Sequence, residues 1–209
     1  MAIITKPTLL RIGRLSIGQQ RYDIDESSDA TGAQAGRLLG PPRWMLSITS
    51  PDVLPAEDAV VWESLLLRLR GRINHFAMYD WARPAPRGTM RGALTLSGAH
   101  AAGSPTLVIT GGGGQAGATL LTGDWLQVGT GIGTSQLVKV MSDATANGSG
   151  VISVAVESPL RRAYGSGAGV TWDRPIAYYK AASASSQWDY QTMNLQSGFA
   201  FDGLESWTP

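Results

Sequence analysis

From Arg91 to Pro175 the chain never sustains a helical period. Short apolar and β-branched runs (GALTL, TLVIT, DWLQV, QLVKVM, GVISVAV, GVTW) are separated by glycine-rich turns roughly every ten residues. Side chains on a pleated strand alternate between two faces, and the apolar face needs a second β layer to cover it. Residues 91–175 therefore read as a small barrel or sandwich. Asn147-Gly148 marks a tight hairpin turn there, with VKVMSDAT before it and GVISVAV after it. The 26 glycines and a charged fraction of 16 % suit a turn-rich, mainly β chain.

One segment breaks the pattern. PAEDAVVWESLLLRLRG predicts a helix over residues 55–70: Pro55 opens it, Glu57 and Asp58 suit its first turn, Arg68 and Arg70 its last, and Gly71 follows as the stop. Val61, Trp62, Leu65, Leu66 and Leu69 give it one apolar face, which needs a sheet or another helix to cover it. Strands are predicted at Thr8–Ile17, Trp44–Thr49 and Ile73–Trp81, with a polar loop (DIDESSDATGAQAG) between the first two. Pro84, Pro86 and Gly88 mark a boundary, and from Ile176 aromatic-rich strands resume. The economical layout is an insertion. Residues 1–90 and 176–209 form one β-rich sandwich or barrel domain that holds the helix, with strands in 186–207 completing its sheet, and 91–175 form a second small β-barrel threaded into a turn.

The run TGGGGQAGATLLTGDW (110–125) has the G-x-G-x-x-G spacing of a dinucleotide loop at Gly112, Gly114 and Gly117. A dinucleotide loop needs a helix after it to point free N–H groups at the pyrophosphate. Here Gly123-Asp124 interrupts after five residues, so the run reads as a strand–turn–strand hairpin and no cofactor is expected. With no cysteine and two histidines, His75 and His100, both read as structural, there is little for a metal site. Asp23, Asp25 and Asp29 resemble part of a calcium loop, but Ser28 and Gln34 stand where its glycine and closing glutamate belong, so a solvated acidic loop is expected. Asp124, Asp173, Asp189 and Asp202 are the carboxylates from which a glycosidase pair would have to come, and turn stabilisation is the preferred role. No catalytic residue is expected, and the chain reads as a non-enzyme.

The formal net charge of +1 gives no electrostatic case for nucleic-acid or membrane binding, and no apolar run is long enough to span a bilayer. Of 17 basic residues only Lys6, Lys139 and Lys180 are lysines. Arg70, Arg72, Arg87, Arg91, Arg161 and Arg162 gather near predicted strand ends and are candidate subunit-interface residues, because guanidinium forks favour paired contacts. Trp125 and Trp172 are candidates for stacking on sugar rings.

LRGRINHFAMYDWARPAPRGTMRG resembles a segment of minor tail proteins of long-tailed bacteriophages, in which a helix runs into an L-R-G-R-x-N strand and a proline-rich exit. GATLLTGDWLQVG through QLVKVMSDATANGSGVISVAVESPLRRA resembles a β module recurring in phage virion proteins, both capsid insertions and tail components. The resemblance spans about residues 55–175, and the layout is most similar to distal tail proteins. It implies a structural subunit that self-assembles into a ring, usually a hexamer, between the tail tube protein and the baseplate hub or tail fibre proteins. It also implies a location in the virion tail, after assembly in the host cytoplasm, and no catalytic residues. A carbohydrate-binding module for host-surface adhesion is the alternative reading.

Overall fold

The computed structural model describes residues 1–27, 34–191 and 195–208. Strands β1 (Ile3–Thr5), β2 (Arg14–Ser27), β3 (Gln34–Thr49) and β4 (Leu54–Pro55) precede helix α1 (Ala56–Leu69) and strand β5 (His75–Met78). Eight strands follow: β6 (Leu94–Leu96), β7 (Thr106–Thr110), β8 (Thr119–Leu120), β9 (Trp125–Val128), β10 (Gln136–Val140), β11 (Ala144–Thr145), β12 (Val151–Glu157) and β13 (Gly169–Thr171). The chain returns through β14 (Ala177–Ala181), β15 (Asp189–Gln191), β16 (Leu195–Ser197) and β17 (Ala200–Glu205). The protein is mainly β, with one helix among the described residues.

Six strands from the two ends of the chain form the main sheet, in the order β1-β5-β14-β17-β3-β2. β1 runs parallel to β5, and every other neighbour is antiparallel. The middle of the chain closes an antiparallel barrel in the order β10-β12-β7-β6-β13-β9. Two smaller sheets complete the molecule, β15-β16-β4 beside the helix and β11-β8 beside the barrel.

The helix starts as its sequence dictates, after Pro55 in extended backbone with Glu57 and Asp58 in its first turn. It stops with Arg70 and Gly71 both left-handed, and the Arg70 amide donates to the Leu67 carbonyl. Its buried face is Ala59, Trp62, Leu65, Leu66 and Leu69, with Val61 half-buried. Trp62 stacks on Phe199 with centroids 6.1 Å apart, and its indole N–H donates to the Arg11 carbonyl at 2.7 Å.

The strand expected from Thr8 begins later, and a short strand, β1, precedes it. β2 opens at Arg14, while residues 8–13 wrap over the helix, where Leu10 is buried. Gly13 makes that route tight: a Cβ there would lie 2.7 Å from the backbone of Ser50 and Pro51.

One hairpin expectation is corrected and the other holds. β7 and β8 do not pair with each other: β7 lies between β12 and β6, and β8 pairs β11. The glycine run is a loop whose amides donate within the chain, Gly111 to Gly150, Gln115 to Gly112 and Gly117 to Ala146. Gly150 cannot be another residue, since a Cβ would sit 1.7 Å from the Gly112 oxygen at a φ of +72°. Asn147 does make its turn, with its amide on Val151 and its side-chain oxygen accepting from Ser149 and Val151. The two flanking strands pair across it, Val140 with Val156 and Lys139 with Glu157, while residues 144–145 divert to β8 and β12 takes β7 as its other neighbour.

Trp62→Ala removes the largest side chain of the helix face and orphans the Arg11 carbonyl. It is expected to cost about 3–5 kcal/mol of stability, read from the denaturant midpoint at unchanged slope.

Candidate assembly surface

β9 and β10 are buried on both faces. Leu126, Val128, Val138 and Val140 point into the barrel, while Trp125 and Leu137 point into the core shared with the main sheet. The barrel is thus seated on the sheet. Trp44 of β3 meets Trp125 edge-on with centroids 4.8 Å apart, and its indole donates to the Leu137 carbonyl at 2.8 Å. The Trp125 indole donates to Asp80 at 3.1 Å, Arg83 pairs with the same carboxylate at 3.0 Å, and Lys139 lies 4.7 Å from the Trp125 ring. Burial and the nearby Arg83 charge lower the Lys139 pKa.

Past this seat β2 and β3 continue alone. β17 pairs β3 only from Met45 to Thr49, whereas the β2–β3 ladder runs from Arg14↔Thr49 to Ser27↔Gln34. The stretch beyond Gln19 and Trp44 is a two-stranded arm with no third strand among the described residues. Much of the expected polar loop is therefore strand, and its middle, with Ser28 and Asp29, lies outside the described residues. Two register shifts shape the arm: Arg21 faces both Pro41 and Pro42, and Leu39 is extra between Tyr22↔Gly40 and Asp23↔Leu38. Proline has no N–H for a ladder, so it is tolerated at such a bulge. Glu157 of the barrel accepts from Gln19 and Arg21, each at 3.0 Å, and fixes the arm at its base. Along the arm Asp23, Ile24, Asp25 and Leu39 are exposed, the two apolar ones by 43 % and 59 %.

The side of the main sheet away from the helix is open. It holds a groove of about 750 Å³ that crosses β2, β3, β17 and β14. Alternation puts Ser16 and Gly18, Met45 and Ser47, Asp202 and Leu204, and Lys180 on that side, opposite the buried Leu46, Ile48, Phe201 and Tyr179. At one end Ser206 lies over the buried His75, with its hydroxyl 3.2 Å from Nε2. His75 Nδ1 meets no partner among the described residues, and burial with the Lys180 charge lowers the pKa, as for a neutral core histidine. Beside it Glu205 accepts from the Trp44 amide at 3.1 Å. Burial raises the Glu205 pKa against the opposing pull of the Trp44 amide, Trp207, Arg161 and Arg43. The Trp207 ring lies between those two guanidiniums, 4.6 Å from Arg43 and 4.8 Å from Arg161.

Five of the six candidate interface arginines staple their own chain. Arg72 donates to Ala182, Arg87 to Thr122, Arg91 to Pro86, Gly88 and Met90, Arg161 to Ser135 and Arg162 to Gly133, all carbonyl oxygens. Arg70 is the exposed residue that ends the helix. Trp125, only 3 % exposed, has no face free for a sugar, because Trp44 and Lys139 cover it. Trp172 is half-buried, lies 4.9 Å from the Arg91 guanidinium and donates to the Gly92 carbonyl. His100 accepts from the Val108 amide through Nε2 and meets the Gly98 carbonyl through Nδ1, so it ties a loop to β7. Asp124 is buried and accepts from the amides of Arg87, Gly88 and Leu121, the turn role expected of it. Asp173, Asp189 and Asp202 are exposed. Among the described residues no three His, Asp or Glu side chains are grouped to hold a metal, and no helix is long and apolar enough to cross a membrane.

No protein-family model matches the chain, and no curated protein matches it in sequence.

Glu205 gives a pH prediction. Its folded pKa is raised, so its contribution to stability is complete below the ordinary value of 4.5 and is lost as pH rises through the folded value. Glu205→Gln is therefore expected to melt above the unaltered protein at pH 8, with the gap closing toward pH 4.5. A gap that does not change with pH refutes the assignment.

Proposed function

We propose that the chain is a structural subunit of a bacteriophage tail that assembles with copies of itself into a ring at the distal end, between the tail tube and the baseplate hub or fibres. The observation that carries assembly is the β2–β3 ribbon. β2 is 14 residues long and pairs on one side only, and the arm beyond Trp44 pairs with no other described strand. A long strand with a free row of N–H and C=O groups is a template for another chain, and proteins cover such edges or blunt them. Pro41 and Pro42 blunt β3, but β2 has no proline. A projecting arm meeting a different surface of the next copy makes a head-to-tail contact, which closes into a ring when the rotation between copies divides a full turn.

The tail-specific part rests on the resemblance of residues 69–92 and 117–163 to phage virion proteins, and the expected number of six comes with it. The seating of the barrel favours the scaffold reading over the adhesive one. A sugar-binding module would keep its aromatic platform exposed, whereas Trp125 is used to hold the barrel to the sheet.

Light scattering and negative-stain images test this. The full chain is expected to form closed rings of several copies, and a variant with residues 21–42 replaced by Asn-Gly is expected to keep its circular dichroism but stay at single-chain mass. A full chain that is monomeric at every concentration refutes the proposal, and an armless variant that still forms rings removes its main support.

A further inference from the structure

We infer that the pocket beside Trp207 is a binding site for a phosphate-class oxyanion, held by the guanidiniums of Arg161 and Arg162. This goes beyond the ring assembly proposed above and does not depend on it.

The pocket has a volume of about 430 Å³ and lies where four segments of the chain meet. Pro41 comes from the base of the arm and Gly133 from the loop before β10. Arg161, Arg162 and Ala163 come from the loop after β12, and Trp207 follows β17.

The charge around it is one-sided. Residues 39–51, 129–138, 158–172 and 206–209 hold three bases, Arg43, Arg161 and Arg162, and no acid. Arg43 and Arg161 both lie over the Trp207 ring, and Arg162 lies 5.9 Å from the Tyr164 ring centroid. Elsewhere Arg11, Arg21, Arg83 and Arg174 pair with carboxylates, but none of these three does so among the described residues. The acid nearby, Glu205, is buried and accepts from the Trp44 amide, and burial pushes it toward its neutral form. Four buried polar atoms of the cluster also lack a partner among the described residues: Nε of Arg43, Nε of Arg161, Nε1 of Trp207 and the Tyr164 hydroxyl. They are out of a ligand's reach, but they mark a cluster rich in donors and short of acceptors. Arginine and tryptophan side chains only donate, so the missing acceptor has to come from outside them.

The two forks are already oriented. Arg161 donates through Nη2 to the Ser135 carbonyl, and Arg162 donates through Nη1 to the Gly133 carbonyl, which ties both side chains to one loop. Each bond occupies a single nitrogen. Nη1 of Arg161 and Nη2 of Arg162 stay without a partner among the described residues. A guanidinium fixed in this way loses less freedom when an anion binds. A phosphate group has enough oxygens to accept from both forks at once, whereas a carboxylate is matched by one fork. Bound there, the anion joins the loop after β12 to Trp207 and to the base of the arm.

Calorimetric titration of the full chain with inorganic phosphate, at an ionic strength held constant with sodium chloride, is expected to show one saturable site with a Kd of about 1 mM or tighter. The general stabilising effect of phosphate on folded proteins comes from exclusion from their surface and does not saturate, so saturation separates the two. Arg162→Gln is expected to weaken binding about tenfold or more, because a charge-assisted fork is lost. Arg162 is exposed, so this variant is expected to keep the far-UV circular dichroism of the unaltered chain. Arg14→Gln removes an exposed arginine outside the pocket and is expected to leave the affinity unchanged. Dimethyl phosphate distinguishes the sources of the anion. Binding as tight as that of inorganic phosphate assigns the site to a phosphodiester, and binding about tenfold weaker or worse assigns it to a free phosphate or a monoester. Heat that never saturates overturns the site, and so does an affinity that the two arginine variants lower equally or that neither lowers.

Discussion

Trp44 stands where the main sheet, the barrel and the arm meet. Its ring abuts Trp125, its indole donates to Leu137, and its amide donates to Glu205. The first two contacts reach the barrel, and the third lies within the main sheet. The first two make β9 and β10 two-sided strands, so the barrel is held by its own core on one face and by the sheet on the other. The third anchors a buried carboxylate that would otherwise be costly, since a desolvated acid needs donors around it. The free arm begins beside this residue, where β17 no longer pairs with β3. A barrel that hung on flexible linkers would leave the arm pointing nowhere in particular. Seated as it is, with Glu157 reaching across to Gln19 and Arg21, it sets the arm's direction.

The parts that could be read from the sequence were those governed by local rules. The helix announces itself through Pro55, the acids of its first turn and the left-handed residues after Leu69. The barrel strands announce themselves through short β-branched runs between glycines with positive φ. The arm obeys no such rule. A ribbon exposed on both faces has no apolar period, and DIDES with a Pro-Pro pair downstream has the composition of a loop. It pairs as one hairpin, from Ser27↔Gln34 back to Gln20↔Arg43, but no buried face marks its register. The barrel's partners were hidden for another reason: Asn147 fixes the turn between β10 and β12, but nothing local tells β12 to take β7 on its other side.

What the arginines do within their own chain was hidden for a related cause. Sequence shows a guanidinium near a strand end and not the carbonyl it will cap. Arg91 satisfies three carbonyl oxygens of the proline-rich exit, and Arg161 and Arg162 hold the loop before β10. Irregular backbone between sheets leaves unpaired oxygens, and a long cationic side chain is an economical way to satisfy several of them at once. In this chain, poor in lysine, arginine serves first as mortar within the subunit.

In the assembly proposed above, closure into a ring rather than a filament depends on the rotation between copies, and the arm's geometry bears on that rotation. A two-stranded ribbon twists along its length, more strongly than a wide sheet, and bulges add to the twist. The arm carries two irregularities, the extra residue opposite Arg21 at Pro41 and Pro42 and the extra Leu39, both between the seat at Trp44 and the exposed Ile24. The arm grows out of the main sheet on β2 and β3, so twist stored in it sets the angle at which its far end leaves the sheet. A ribbon without the bulges would leave the sheet at a different angle. The prolines that look like strand breakers in the sequence therefore sit where the direction of the arm is decided.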